Sequence, residues 1–218
     1  MTRISKKYIA AIFDLDGVIV NTAKYHYLAW KRLASELGFN FSNHDNEKLK
    51  GVSRMRSLDI LLEIGKLDFD ENTKSTLAEK KNRWYIGYIR KIDRSELLPG
   101  AKDCLIMLRK KGIKIALASA SKNAVLILRK LKIKDLFDAI IDGNKVSKTK
   151  PDPEIFLLGA QELGVNPNDC VVFEDAESGI KAARSAGMYA VGVGKSNSLK
   201  DSDYIIKGLY NFDINKLF

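Results

Sequence analysis

Short apolar runs rich in β-branched residues recur along this chain, and most are followed by a polar cluster and then by a helical pattern. The runs cover 8–13, 113–118, 139–141, 170–173, 189–193 and 204–206. Strands of this kind, separated by helices, pair side by side in a parallel sheet with helices packed on both faces. The helices between them have readable edges. The segment 101–111 follows Pro99-Gly100 and stops before Gly112, and 122–131 follows Ser121, a good N-cap. The segment 153–163 opens on a proline and ends at Gly164, and 176–186 follows Asp175 and ends at Gly187.

The alternation fails between residues 22 and 96, where helical spacing over 25–37, 55–64 and 72–92 is interrupted by no strand. The expected architecture is therefore α/β. Residues 1–21 and 97–218 form a doubly wound, Rossmann-like parallel-sheet core, and 22–96 form an inserted all-helical cap domain. A chain of 218 residues is long enough for both, burying about 70% of its unfolded surface.

Composition removes several classes of function. Cys104 and Cys170 lie far apart with no pairing pattern, so neither a disulfide framework nor a zinc site is indicated. Cys170 opens an apolar run and reads as a small buried hydrophobe, in keeping with a reducing cytoplasm. No apolar run approaches the ~18–20 residues of a membrane span. The first run ends at Asp14, too early for a signal-peptide core. A cytoplasmic monomer with no membrane partner is expected. The net charge of +10 comes from lysine pairs such as Lys80-Lys81 and Lys110-Lys111, interleaved with acids. No recognisable nucleic-acid module accompanies them, so the charge reads as solvated faces that would also draw anionic substrates. Gly194-Lys195-Ser196 imitates the end of a P-loop, but Tyr189 occupies the place of its leading glycine.

Parallel sheets bind ligands beyond the carboxyl ends of their strands. After the first strand stand Asp14, Asp16 and Gly17; after the second, Ser119, Ala120, Ser121, Lys122 and Asn123. Lys148 and Lys150-Pro151 follow the third, and Glu174-Asp175 the fourth. Carboxylates gathered this closely need a cation to hold them, and Mg²⁺ suits a site of carboxylates, carbonyls, water and a substrate phosphate. Asp14 can attack phosphorus to give an aspartyl-phosphate, and Asp16 can exchange a proton with the attacking or leaving oxygen. An Asp-x-Asp by itself is as readily a turn or a helix cap; the ordered set is what points to phosphoryl transfer.

In order and spacing, Asp14-x-Asp16-Gly17-Val18, Ser119, Lys150-Pro151 and Glu174-Asp175 resemble the four motifs of the haloacid dehalogenase-like superfamily, along nearly the whole chain. The resemblance implies that Asp14 is the nucleophile and Asp16 the acid/base. Ser119, Ala120 and Lys150 would bind the transferring phosphoryl group, and Asp14, Asp16, Glu174 and Asp175 would form the Mg²⁺ site. Three further strings resemble the sugar-phosphate mutases of that superfamily, the β-phosphoglucomutases: Thr22-Ala-x-Tyr-His26-x-x-x-Trp30, Leu49-Lys-Gly-Val-Ser-Arg54, and Ala116-Leu-Ala-Ser-Ala-Ser-Lys-Asn123. On that resemblance Arg54, Ser121, Lys122 and Asn123 grip a second phosphate. His26, Trp30, Gly51, Val52, Ser53 and Lys81 contact the sugar or set the acid/base, although His26 and Lys81 could equally be helix-surface residues. A mutase needs the second grip because its bisphosphate intermediate is held, turned and presented again. The chain departs from the pattern at Asn21, where relatives commonly carry Asp, and in the basic segment 141–146. A sugar-phosphate phosphatase with the same nucleophile, and a non-catalytic phospho-ligand binding protein, are the other readings open to the sequence.

Overall fold

A computed structural model describes residues 7–49, 52–195 and 199–218. Six strands, β1 (Ala10–Phe13), β2 (Lys114–Ala118), β3 (Ala139–Ile141), β4 (Cys170–Glu174), β5 (Tyr189–Val193) and β6 (Tyr204–Ile206), form one parallel sheet in the order β3-β2-β1-β4-β5-β6. All four residues of β1 are buried because both faces of the sheet are covered, as expected for a central parallel strand. Ala11 and Phe13 point into one core with α5 (Ala101–Lys110) and α6 (Ala124–Lys130). Ala10 and Ile12 point into the other, with α7 (Glu154–Leu163) and α8 (Glu177–Ser185). Phe13 and Phe173 stack across β1 and β4 with ring centroids 4.6 Å apart.

The chain runs outward from β1 to β2 and β3, then returns to lay β4 on the other side of β1. That reversal makes the carboxyl ends of β1 and β4 the topological switch point, where α/β sheets open a crevice.

Among the described residues, four α-helices lie between β1 and α5: α1 (Ala23–Glu36), α2 (Asn43–Glu47), α3 (Arg54–Gly65) and α4 (Glu71–Ile89). They close on an apolar cluster of their own that includes Trp30, Leu33, Phe41, Leu58, Leu61 and Ala78. The foot of α4, with Tyr85 and Ile89, joins the core of the sheet instead. The two connecting segments run side by side. Val20 bridges Leu97, and Leu98 N–H donates to the Ile19 carbonyl at 3.0 Å. The Glu96 carboxylate accepts from both Lys24 and Tyr25, each at 2.7 Å.

Several expected boundaries move. Helix α2 was missed although Ser42 and Asp45 build a complete capping box at its start, with Asp in the place usually held by Glu. Helix α6 begins at Ala124 rather than at 122, because Ser121 accepts from Asn123 N–H at 3.3 Å and keeps that turn outside the helix. Helix α4 ends at Ile89, three residues early. Glu174 is the last residue of β4 rather than the first beyond it, paired with Gly192 of β5.

Candidate active site

The Asp14 backbone extends the ladder by one bond, its N–H donating to the Phe173 carbonyl at 3.0 Å. Its carboxylate is thereby held at the mouth of the switch point. Lys150 crosses from the loop after β3, where the Lys150–Pro151 peptide is cis. Its Nζ donates to Asp14 Oδ1 at 2.6 Å, to Glu174 Oε2 at 2.7 Å and to the Ala118 carbonyl at 3.3 Å. Both side chains facing the amine, like the amine itself, are almost fully withdrawn from water. Burial alone would lower the Lys150 pKa, but the charges of Asp14 and Glu174 outweigh it and hold the ammonium protonated. Burial pushes the Glu174 carboxyl up to about 8, against the pull of Lys150.

Asp14, Glu174 and Asp175 offer oxygens that all lie within 4.8 Å of one another. Carboxylate oxygens gathered this closely repel one another, and a divalent cation with oxygen ligands would relieve that repulsion. Two glycines make the corner possible. Gly17 has φ +83°, and a Cβ there would stand 2.0 Å from Asp175 Oδ2. A Cβ on Gly179 would meet the Glu174 carboxyl carbon at 2.0 Å. The Asp16 carboxylate lies outside this group of three, so of the four expected metal residues it does not contribute its side chain there.

Asp16 serves a different neighbourhood. Burial first, then the nearby charge of Asp14, pushes its carboxyl up to about 7, while Lys150 and Lys81 pull it down. One of its oxygens is buried without a hydrogen-bond partner. Beside it, Lys81 Nζ donates to His26 Nδ1 at 2.9 Å and lies 4.3 Å from the centre of the Trp30 ring. Tyr85 covers the imidazole, ring centroids 4.0 Å apart. Burial, then the charges of Lys81 and Arg54, hold the His26 pKa well below its usual range, which favours the neutral ring. Lys81 is 2% exposed, so it is no half of a solvated lysine pair. Thr22 forms the N-cap of α1 but makes no capping bond.

An ionised Asp16 is costly in this setting, and the sign is clear. The folded pKa of about 7 lies above the ordinary aspartate value of 3.8, so the native state binds the extra proton and stability falls as pH rises between those values. Asp16→Asn is therefore expected to raise Tm at pH 8, by up to about 4 kcal/mol of stability. The gain should shrink towards pH 5 and be accompanied by loss of turnover. Thermal unfolding of both proteins across that range checks it; a gain that does not change with pH would contradict the assignment.

A cavity of about 810 Å³ separates this rim from the four helices. Its walls include Ser119, Ala120, Ser121, Lys122 and Asn123 from the sheet side, and Val52, Ser53, Arg54, His26, Trp30 and Lys81 from the helices. The expected residues thus come together, with three qualifications. Gly51 lies outside the described residues. The Ser53 hydroxyl is occupied in capping α3, accepting from Arg56 N–H at 3.3 Å. Trp30 is 2% exposed and chiefly packs the helical cluster. The sequence reading missed Ser57 and Asn82, both on the cavity wall. Ser57 follows Arg54 by one helical turn and Asn82 adjoins Lys81, so helical spacing from an anchor already in hand would have found the first.

A buried carboxylate at the switch point, a lysine bridging two acids and a helical insertion after the first strand together define a class. The chain belongs to the haloacid dehalogenase-like hydrolase family, whose model matches residues 9–187. Within that family it is similar to a β-phosphoglucomutase of Bacillus subtilis, 47% identical over 91% of this chain and 88% of the relative. A crystal structure of a β-phosphoglucomutase from Clostridium difficile superposes with a TM-score of 0.92 at 45% identity, covering 95% of this chain and 94% of the other. A phosphorylated-carbohydrate phosphatase of Thermotoga maritima is 36% identical over 91% of this chain and 90% of its own length.

Proposed function

We propose that this enzyme is a β-phosphoglucomutase, interconverting β-D-glucose 1-phosphate and glucose 6-phosphate. The observation that supports the reading is that two separate groups of cationic and polar side chains line one cavity. Lys150 and Ser119 lie beside Asp14, and Arg54 with Lys122 and Asn123 lies on the same walls. A phosphatase needs only the first.

The residues then act in two half-reactions. In one, phospho-Asp14 faces the sugar. The 6-hydroxyl attacks phosphorus, the aspartyl P–O bond breaks, and ionised Asp16 takes the hydroxyl proton, giving the 1,6-bisphosphate. In the other, the bisphosphate presents its 1-phosphate. Asp14 attacks, and protonated Asp16 returns the proton to the sugar oxygen as it leaves. Lys150 neutralises charge on the phosphoryl group throughout, and the buried Lys81–His26 pair faces Asp16 from the helical block. Mg²⁺, held by Asp14, Glu174 and Asp175, would supply a further positive charge on the transferring group. We read residues 22–96 as a cap that closes over residues 1–21 and 97–218 and keeps water from the phosphoenzyme. A monomer is the proposed state. No helix among the described residues is long and apolar enough to cross a membrane, and the cytoplasm is the proposed location.

Arg54→Ala tests the second grip. It is expected to lower mutase kcat/KM by on the order of 10²-fold, while hydrolysis of a small phosphate ester falls far less. Equal losses in both assays would remove the basis for a second phosphate site and favour the phosphatase reading, which the Thermotoga maritima relative keeps in view.

A further inference from the structure

Asn123 occupies the N-cap of α6, where an asparagine side chain ordinarily accepts a bond from its own helix. It makes no such bond. Its Nδ2 donates instead to Asn82 Oδ1 at 3.0 Å, reaching across the cavity to α4. Both residues are half-buried on the cavity wall. Asn82 follows Lys81 on α4, so a bond that holds this turn of the helix against the sheet domain also bears on where the Lys81–His26 pair stands. A primary amide carries two N–H groups, so Asn123 can hold Asn82 with one and an anionic oxygen with the other.

We propose that Asn82 is a positioning residue, the helix-side half of a latch. It couples the seating of the second phosphate on Asn123 to the descent of α4, and of Lys81 and His26, onto the acid/base. The inference rests on the mutase reading for its substrate, and on the Asn82–Asn123 contact for the latch itself. A bond between two neutral amides suits the task. It biases closure by about tenfold and no more, which lets the cap reopen for the bisphosphate to turn. A charged pair would compete with the phosphate for the same donors.

Two measurements test it. In the ligand-free protein, Asn82→Ala should speed amide exchange in the connecting segments 17–22 and 92–98 severalfold. In kcat/KM for β-glucose 1-phosphate, Asn82→Ala should cost about tenfold. Adding it to Asn123→Ala should cost nothing further, since both changes remove one shared bond. Unchanged exchange, or losses that multiply in the double variant, would overturn the latch. If the wild-type protein makes no glucose 6-phosphate, the mutase reading fails on its own, and the exchange measurement alone decides the latch.

Discussion

Asp14→Asn is expected to abolish both glucose-phosphate interconversion and ester hydrolysis, by on the order of 10⁴-fold or more. In the proposed scheme both activities pass through an aspartyl-phosphate on Asp14, so no second route is left once that residue is an amide. The change is nearly isosteric, and Asn keeps an oxygen for the 2.6 Å bond from Lys150. The fold should therefore survive, and the loss is chemical rather than structural. Mass spectrometry separates the two explanations directly. Wild-type protein treated with acetyl phosphate should gain one phosphoryl group, and Asp14→Asn should gain none. Residual turnover within about a hundredfold of wild type would contradict the assignment of Asp14.

Lys150→Ala should be the most damaging change to stability as well as to activity. It removes the cation that holds Asp14 and Glu174 together, both bonded to it within 2.7 Å and both nearly excluded from water. Stripping one partner from a buried charge cluster leaves uncompensated charge, at a cost of about 3 kcal/mol or more. Glu174 limits the damage. Burial raises its carboxyl pKa and Lys150 lowers it, so removing the lysine favours the protonated acid and offsets part of the charge penalty. A fall in Tm on the order of 10 °C in metal-free buffer is expected. Part of it should be recovered in excess Mg²⁺ if Asp14, Glu174 and Asp175 form the metal site. A Tm that is unchanged without metal would show that the lysine is not needed to balance the carboxylates.

The sheet was legible in the sequence because its central strands are buried on both faces, so Ala-Ala-Ile-Phe and Cys-Val-Val-Phe read as unbroken apolar runs. The rim was legible for a topological reason. Once those runs are parallel strands, whatever follows each must meet at one end of the sheet, and Asp14, Ser119, Lys150 and Glu174-Asp175 do. What the sequence did not disclose depends on distances across the chain. Lys81 sits in a Lys-Lys pair that could as well face water; only packing against Trp30, Tyr85 and His26 places it inside. Asn123 looked like a phosphate ligand on a helix starting at 122, and its bond to Asn82 joins residues 41 positions apart. Helix α2 is five residues long, too short for apolar periodicity to mark, and its capping box carried the signal unread.

The measurement that bears most directly on the mutase reading supplies β-glucose 1-phosphate, Mg²⁺ and a trace of the 1,6-bisphosphate. Glucose 6-phosphate is followed by a coupled dehydrogenase, and free phosphate is followed in the same reaction. Glucose 6-phosphate forming without matching release of phosphate is the expected result, because in the proposed scheme the phosphoryl group stays on Asp14 or on the sugar throughout. Phosphate released in step with substrate loss, with no glucose 6-phosphate, would make this chain a phosphatase and contradict the role given to Arg54, Lys122 and Asn123.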